Sequence, residues 1–399
     1  MGKTAPKSQA KKASAVSTGD NSPREVTRYI KPAVTAVLWG RAAGRCEFAG
    51  CNRPLWKSTV TQEPVNVAQQ AHIYSFSENG PRGNAGVSDE ELNSTENLML
   101  VCHPCHRKID QHEDGGRYTA SLLKSMKHEH ERRVEIVTGI SSDRQSHVLF
   151  YGANIGEQSS PLKFAEAGTA MFPESYPASD QAIELGLTNS AATDRSPEYW
   201  IGESRQLQAL FDRRVRERIT AGDISHLSVF ALAPQPLLIL LGTHLGDIVP
   251  AAIYQRHREP PSWAWPNTAD PITYVIAEPE NTVGIPALVL GVSATVTPDR
   301  ITSVLGANAS IWTISVPTPH NDIIKSPAHL SEFRAVMWPL LDRIKAKHGQ
   351  DTPLHIFPAA PISVAVELGR IRMPKADMPW QIYDQSNALG GFVQALTIE

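Results

Sequence analysis

Hydrophobic positions along the chain follow two different rhythms. Over residues 24–44, REVTRYIKPAVTAVLWGRAAG, apolar side chains recur at roughly helical spacing and a glycine closes the run, which predicts a helix. VNVAQQAHIYSF, residues 65–76, reads as a strand, and a loop rich in Gly, Pro and Ser follows over residues 78–88. The apolar NLMLVC, residues 97–102, then runs straight into a helix over CHRKIDQHE. A second helix, TASLLKSMKHEHERRVEIVTG, ends near residue 140. Its KHEHERR run reads as a charged, exposed face, and His128 and His130 have no spacing that demands a metal.

After the polar SSDRQS, residues 141–146, the rhythm changes. HVLFYGANIG predicts a strand and a glycine-containing loop, and RQLQALFDRRVRERITAGD a helix with a basic face. HLSVFALAP and PLLILLGTHL read as buried strands, while PALVLGVSATV, ASIWTISVP and LHIFPAAPISVAVELGR read as further strands or strand-to-helix turns. Such alternation argues an α/β domain with a largely parallel sheet. The order strand, small polar loop, helix recurs near residues 150, 290 and 357, a weak internal duplication. The resulting map is a disordered basic arm over residues 1–23, a first domain over 24–140, a linker over 141–146 and a second domain over 147–399.

Composition adds bounds. A chain of 399 residues exceeds one ordinary core, and its 41% hydrophobic content supports real burial. No apolar run approaches the roughly 18–20 residues of a membrane span. The N-terminus is basic without the apolar core of a signal peptide, and the sixth position is Pro6 and not the Ser or Thr that a myristoylation signal favours. A cytoplasmic protein without a membrane partner is expected. The net charge of −3 averages over unlike regions, since Lys and Arg far outnumber Asp20, Glu25 and Glu47 near the N-terminus. That basic stretch is either a phosphate-facing surface or a solvated tail and helix face.

All four cysteines fall in two close pairs, Cys46 with Cys51 in CEFAGC and Cys102 with Cys105 in CHPC. Two short loops each delivering two thiolates are what a tetrahedral structural zinc requires. The alternatives are free thiols, or disulfides, which a reducing compartment disfavours. His72, Asn97 and His106 lie between and around these pairs, and His103 reads as a surface residue of the loop. The pattern AHI…N…CHPCH…D resembles the HNH endonuclease motif over roughly residues 41–115. The resemblance implies an α+β module of the ββα-metal type braced by a zinc knuckle. It also implies His72 as general base, Asn97 orienting the water or touching the metal, and His106 as a catalytic metal ligand. Phosphodiester cleavage needs a deprotonated water and a cation against the charge that develops on the phosphate. An imidazole titrating near neutrality serves the first need, and Mg²⁺ held by few protein ligands the second. Asp110, four residues after His106 on one helix face, either holds that imidazole or binds the ion. Where many members carry Asp or His before the first histidine, this chain has Ala71, so another group or the DNA phosphates must complete the site.

The remaining two-thirds carries subtler hints. Trp263 and Trp265 sit in the Pro-rich PPSWAWPN, and the small polar loops GANIGEQS, GVSATVTP and VPTPHND follow strands, where parallel sheets bind ligands. FPAAPISVAVELGR turns from strand to helix in a way that points backbone N–H groups toward a phosphate. Together these resemble the SAVED domain, two fused CARF-like, Rossmann-like α/β units that sense cyclic oligonucleotides in bacterial anti-phage systems. The resemblance spans residues 146–399 and is clearest in LHIFPAAPISVAVELGRIRM and MPWQIYD. HNH followed by SAVED is the architecture of a CBASS effector nuclease. It implies cleavage of double-stranded DNA with little sequence specificity and abortive infection in the bacterial cytoplasm. It also implies a cyclic di- or trinucleotide activator made by a partner cyclase, and a ligand-driven homo-oligomer. Asn154, Ser293, Thr295, His320, Pro358 and Ala359 are loop candidates for the ligand, with Trp263 or Trp265 as stacking surfaces. Arg370 either neutralises a ligand phosphate or caps its helix. Two other readings stay open: an HNH restriction endonuclease whose C-terminal half recognises modified DNA, and a zinc-braced DNA-binding sensor with a silent HNH site.

Overall fold

Pro32 opens the first helix, α1 (Pro32–Arg41), at the position where its missing N–H costs nothing, so the helix is shorter than its apolar spacing predicts. The computed structural model describes residues 29–77, 80–83, 86–111, 116–155, 162–186, 194, 196–266, 269–386 and 390–399. The arm over residues 1–23 lies outside these. The chain folds into two units, Met1–Gly139 and Ile140–Glu399. No helix among the described residues is long and apolar enough to cross a membrane.

In the first unit, strands β1 (Ala68–His72) and β2 (Leu98–Cys102) pair antiparallel, with Ala68 opposite Cys102 and His72 opposite Leu98. Between them lies the short α2 (Asp89–Leu92), opened by a Ser88/Glu91 capping box. Helix α3 (His103–Ile109) starts directly from the end of β2, and α4 (Ala120–Thr138) is capped by the Thr119 side chain. β1 is shorter than expected because the chain turns at Tyr74, whose N–H donates to the Asn97 side chain. The core joins Leu38, Leu55, Ile73, Leu98, Leu100 and Leu123. One expectation is corrected here: the KHEHERR face of α4 is not wholly exposed, since Lys127 and His130 are buried. The Lys127 ammonium pairs with Glu131 and lies 3.8 Å from Glu47 Oε1, while His130 Nε2 donates to Ala42 O at 3.0 Å. Charge along a helix marks a solvated face only where no buried partner waits, and Glu47 is such a partner.

The second unit holds two α/β halves. The first runs β3 (Gln145–Gly152), α5 (Phe164–Met171), β4 (Tyr176–Pro177), β5 (Ile183–Glu184), α6 (Pro197–Phe211), α7 (Glu217–Thr220), β6 (Leu227–Leu232), α8 (Gln235–Leu245) and β7 (Ala251–Ile253). Its sheet, in the order β4-β3-β6-β7 with β5 also on β3, is parallel throughout. A ribbon of β8 (His257–Arg258) and β9 (Pro261–Ser262) leads into the second half. That half runs β10 (Val275–Ala277), β11 (Ile285–Gly291), α9 (Pro298–Leu305), β12 (Ala309–Ser315), α10 (Pro327–His348), β13 (Leu354–Ala359), α11 (Ile362–Arg370), β14 (Trp380–Ser386) and β15 (Gly391–Ile398). Its sheet order is β10-β12-β11-β13-β14-β15, parallel inside and antiparallel at both edges. The α/β fold expected for this region is thus what forms. PLLILLGTHL, however, is helix α8 rather than a strand, because a segment apolar on every side loses the periodicity that separates the two.

The duplication is sharpest between β6-α8 and β13-α11. Each strand ends in an Ala-Pro turn, at Ala233-Pro234 and Ala360-Pro361, and each helix carries a glycine at the same distance beyond, Gly242 and Gly369. There the two helices cross backbone to backbone: a Cβ on Gly369 would lie 1.9 Å from Ile239 O, and one on Gly242 2.0 Å from Val366 O. Gly369→Ala is therefore expected to destabilise the second unit by about 1–3 kcal/mol or more in urea unfolding. Gly202→Ala, on α6 with open space around it, should be neutral or mildly stabilising.

Candidate active site and sensor cavity

The knuckle is built by local backbone geometry. Arg45 bridges Pro54, Cys46 N–H donates to Arg53 O at 2.9 Å, and left-handed Gly50 and Asn52 turn the chain so that Cys51 returns beside Cys46. Cys102 ends β2 and begins α3, and Cys105 sits in that helix's first turn. The four sulfurs lie within 4.8 Å of one another, none forms a disulfide, and Cys51 Sγ is 3.8 Å from Cys102 Sγ. A tetrahedral ion with metal–sulfur bonds of about 2.3 Å needs its sulfurs about 3.8 Å apart, so the donor set suits a metal such as zinc. Cys102 N–H donates to Cys46 Sγ at 3.3 Å, a bond that favours a thiolate. Burial, with the neighbouring cysteines adding to it against two backbone N–H bonds, pushes the Cys46 thiol up to about 12, and Cys105 is raised too, so it falls to a cation to draw these thiols into the thiolate form.

His72 closes β1, and its Nε2 faces Asn93 Oδ1 at 3.0 Å. With Nε2 carrying the proton that Asn93 accepts, Nδ1 keeps the lone pair a base needs. Asn97 is 4% exposed: its Oδ1 accepts Tyr74 N–H at 2.8 Å, and its Nδ2 donates to Leu92 O at 3.0 Å and Tyr74 O at 3.2 Å. The expectation that Asn97 touches water or metal is therefore corrected. Its amide staples the turn after His72 to the end of α2. Ala71 points into the core at 2% exposure, so that position offers no donor.

On α3, His106 Nε2 and Asp110 Oδ2 stand 3.3 Å apart, both partly exposed on a shallow basin with Arg107 and Lys108. Arg82 Nη2 holds Asp110 Oδ1 at 2.9 Å. Burial would raise the Asp110 carboxyl, but the bonds from His106 and Arg82 outweigh it and hold it below the usual carboxylate range. An ionised carboxylate beside an imidazole on an open surface suits a divalent cation that keeps most of its water. Sequence reasoning missed Asn93 and Arg82. The Ser88/Glu91 capping spacing signals the helix that Asn93 ends, whereas nothing distinguishes Arg82 from any other loop arginine.

In the second unit a cavity opens where the two halves meet, at the C-terminal ends of β6 and β13. Pro234 and Gln235 line it from the start of α8, and Pro361 and Ile362 from the start of α11. Arg256 and Arg258 add positive charge, flanked by Gln255 and Asn321. His257, between the arginines, points the other way as strand alternation requires; it is 3% exposed with Nδ1 3.3 Å from Asp322 Oδ1. Asp194 and Asp384 also line the cavity; burial, then the Asp194 charge, push Asp384 up to about 7.

None of the nine expected ligand residues is among those lining this cavity. Trp263 is core, edge-on to Phe230 at 5.2 Å, and Trp265 packs on Tyr254 and His257. Pro358 is buried in β13 opposite Leu290, and Ala359 O accepts the N–H groups of Val292 and Ser293. Thr295 and His320 are exposed. Asn154 O accepts the Tyr199 hydroxyl at 2.7 Å. Arg370 lies at the far end of α11, 3.0 Å from Glu367. Ile155, Asn321 and Ala360 line the cavity, each one residue from an expected position.

Comparison with known proteins agrees with this division. A family model described as HNH endonuclease matches residues 46–113, and one described as SMODS-associated and fused to various effectors sensor domain, SAVED, matches residues 207–398. No curated protein matches the sequence. Among solved structures, the Acinetobacter baumannii Cap4 SAVED/CARF-domain containing receptor with the cyclic trinucleotide 2'3'3'-cAAA aligns at TM-score 0.44 and 13% identity, covering 70% of this chain and 56% of that one. The Moraxella osloensis Cap4 SAVED/CARF-domain containing receptor aligns at TM-score 0.38 and 13% identity, covering 70% and 59%. The chain thus spans less than two-thirds of the length of these receptors. The two matches follow the order of the two folded units, so the first unit is similar to HNH endonucleases and the second to SAVED sensor domains.

Proposed function

We propose that this protein is a metal-dependent endonuclease of double-stranded DNA, switched on by a cyclic oligonucleotide that binds in the cavity between the two α/β halves. The observation that carries the reading is that one chain holds both an imidazole–carboxylate pair on a basic basin and a cavity where two helix starts and two arginines meet. His72, with its tautomer fixed by Asn93, takes the proton from the attacking water. A divalent cation, when bound at His106 and Asp110, supplies charge against the phosphate as it becomes more negative. Arg107 and Lys108 on the same basin meet the DNA backbone without reading sequence. In the sensor, two helix N-termini and two arginines converge, which is what a ligand with several phosphates in a ring requires. The biological setting that fits is a CBASS effector acting through abortive infection. An always-active nuclease would destroy the host chromosome, so activation by ligand-driven assembly is part of the proposal.

The test incubates purified protein with plasmid, Mg²⁺ and a panel of cyclic di- and trinucleotides, including the two cAAA isomers in the Acinetobacter structures. Cleavage only with both metal and one panel member, with a rise in mass by light scattering, is the expected result. Arg256→Ala should raise the activator concentration for half-maximal cleavage at least tenfold, since a charged hydrogen bond to phosphate is lost. Cleavage that follows DNA modification and ignores every panel member would indicate a restriction enzyme. Metal-independent DNA binding without any cleavage would indicate a silent sensor.

A further inference from the structure

The Arg82 side chain, only 4% exposed, lies between the two elements that carry the nuclease chemistry. Its Nε donates to Ile73 O at 2.5 Å and its Nη2 to His72 O at 3.2 Å, which fixes the strand end behind the general base. Its Nη1 donates to Ile109 O at 3.0 Å, and Nη2 also reaches Asp110 Oδ1 at 2.9 Å, which fixes the end of α3. All three guanidinium nitrogens are thus engaged, so Arg82 is not a phosphate contact. Asp110 needs such a partner, because it caps the C-terminal end of α3, where the helix dipole disfavours a carboxylate. Arg82 has φ +70° and Gly83 φ +57°, a consecutive left-handed pair, and a non-glycine residue is held there at a cost.

We infer that Arg82 is the positioning residue of the HNH centre: one buried guanidinium locks the His72 strand end to the helix end and presents Asp110 Oδ2 beside His106 as a preformed cation site. The inference rests on the nuclease reading above. A lysine cannot replace it, since a single ammonium does not span three carbonyls and a carboxylate in a planar fork.

The experiment uses the full chain with its zinc in place and Mn²⁺ as the probe, followed by EPR without DNA. Arg82→Lys is expected to weaken Mn²⁺ binding by about 10–100-fold, with zinc content and activator binding unchanged. Asp110→Asn should show a similar loss, and the double variant should be little weaker than Asp110→Asn alone, because both act through one carboxylate. Wild-type Mn²⁺ affinity in Arg82→Lys, or losses that multiply in the double variant, would overturn the assignment while leaving the nuclease reading intact. Wild-type protein that takes up no Mn²⁺ would overturn the metal centre and this inference together. Arg82→Gln provides a second variant with the same expected loss. If neither variant folds with zinc bound, Arg82 is a structural strut and the inference falls.

Discussion

Replacing His72 by alanine is expected to lower DNA cleavage by about 10²- to 10⁴-fold at saturating metal and activator, the usual contribution of a general base. The fall should lie in kcat, because His72 acts on the attacking water and not on the DNA backbone. Zinc content, Mn²⁺ binding and activator binding should persist, since among the described residues the His72 ring hydrogen-bonds only to Asn93, and its backbone place in β1 is kept by pairing with Leu98. Asn93→Ala should give a smaller loss, because the imidazole remains but its tautomer is no longer chosen. A His72→Ala protein that cuts plasmid at the wild-type rate would remove His72 from the mechanism altogether.

The second large effect is expected for Cys102→Ser. Cys102 contributes three things at once: a sulfur within the four-cysteine cluster, the last residue of buried β2, and the start of α3 that carries His106. Structural zinc in small domains contributes an apparent free energy of about 10–16 kcal/mol, so losing one of four ligands should cost a large share of the first unit's stability. Calorimetry should show the N-terminal transition lowered or lost while the second unit melts as in wild type. Metal analysis should show zinc greatly reduced. Zinc-free wild-type protein, or a variant with unchanged melting, would count against the knuckle.

How far the sequence could lead depended on whether function is written in spacing. The cysteine pairs and the order of His72, Asn97 and His106 are local and chemically specific, and the structure brings the four sulfurs together as that spacing requires. Asn97 was legible as a motif position, but its use was not, because an amide that bonds backbone and one that touches metal look identical in a string of letters. Arg82 was illegible for the opposite reason: its partners are mostly backbone carbonyls, which every residue supplies. In the second unit the α/β class followed from alternation, while helix α8 did not, since Leu237, Leu238, Ile239 and Leu241 are all buried and leave no polar face to mark the period. Three of the nine ligand candidates, Asn154, His320 and Ala359, stand one residue from the cavity lining, because strand ends can be placed from sequence only to within a residue or two. Trp263 drew notice for standing in a Pro-rich loop, yet the loop folds it back into the core.

The glycine contact between α8 and α11 also has a mechanical meaning. With backbone against backbone at Gly242 and Gly369, no side chain stands at the crossing that could change rotamer and let one helix slip along the other. The crossing behaves as a rivet, which permits a change of angle but no sliding. The turns at Pro234 and Pro361 stand at the cavity ends of the two helices and are tied to each other, since Ala360 N–H donates to Gln235 Oε1 at 3.0 Å. Gly369 stands next to the last residue of α11 and Gly242 in the last turn of α8, so any turning about the crossing moves the cavity ends of the helices far more than their opposite ends, and the strain stays beside the cavity.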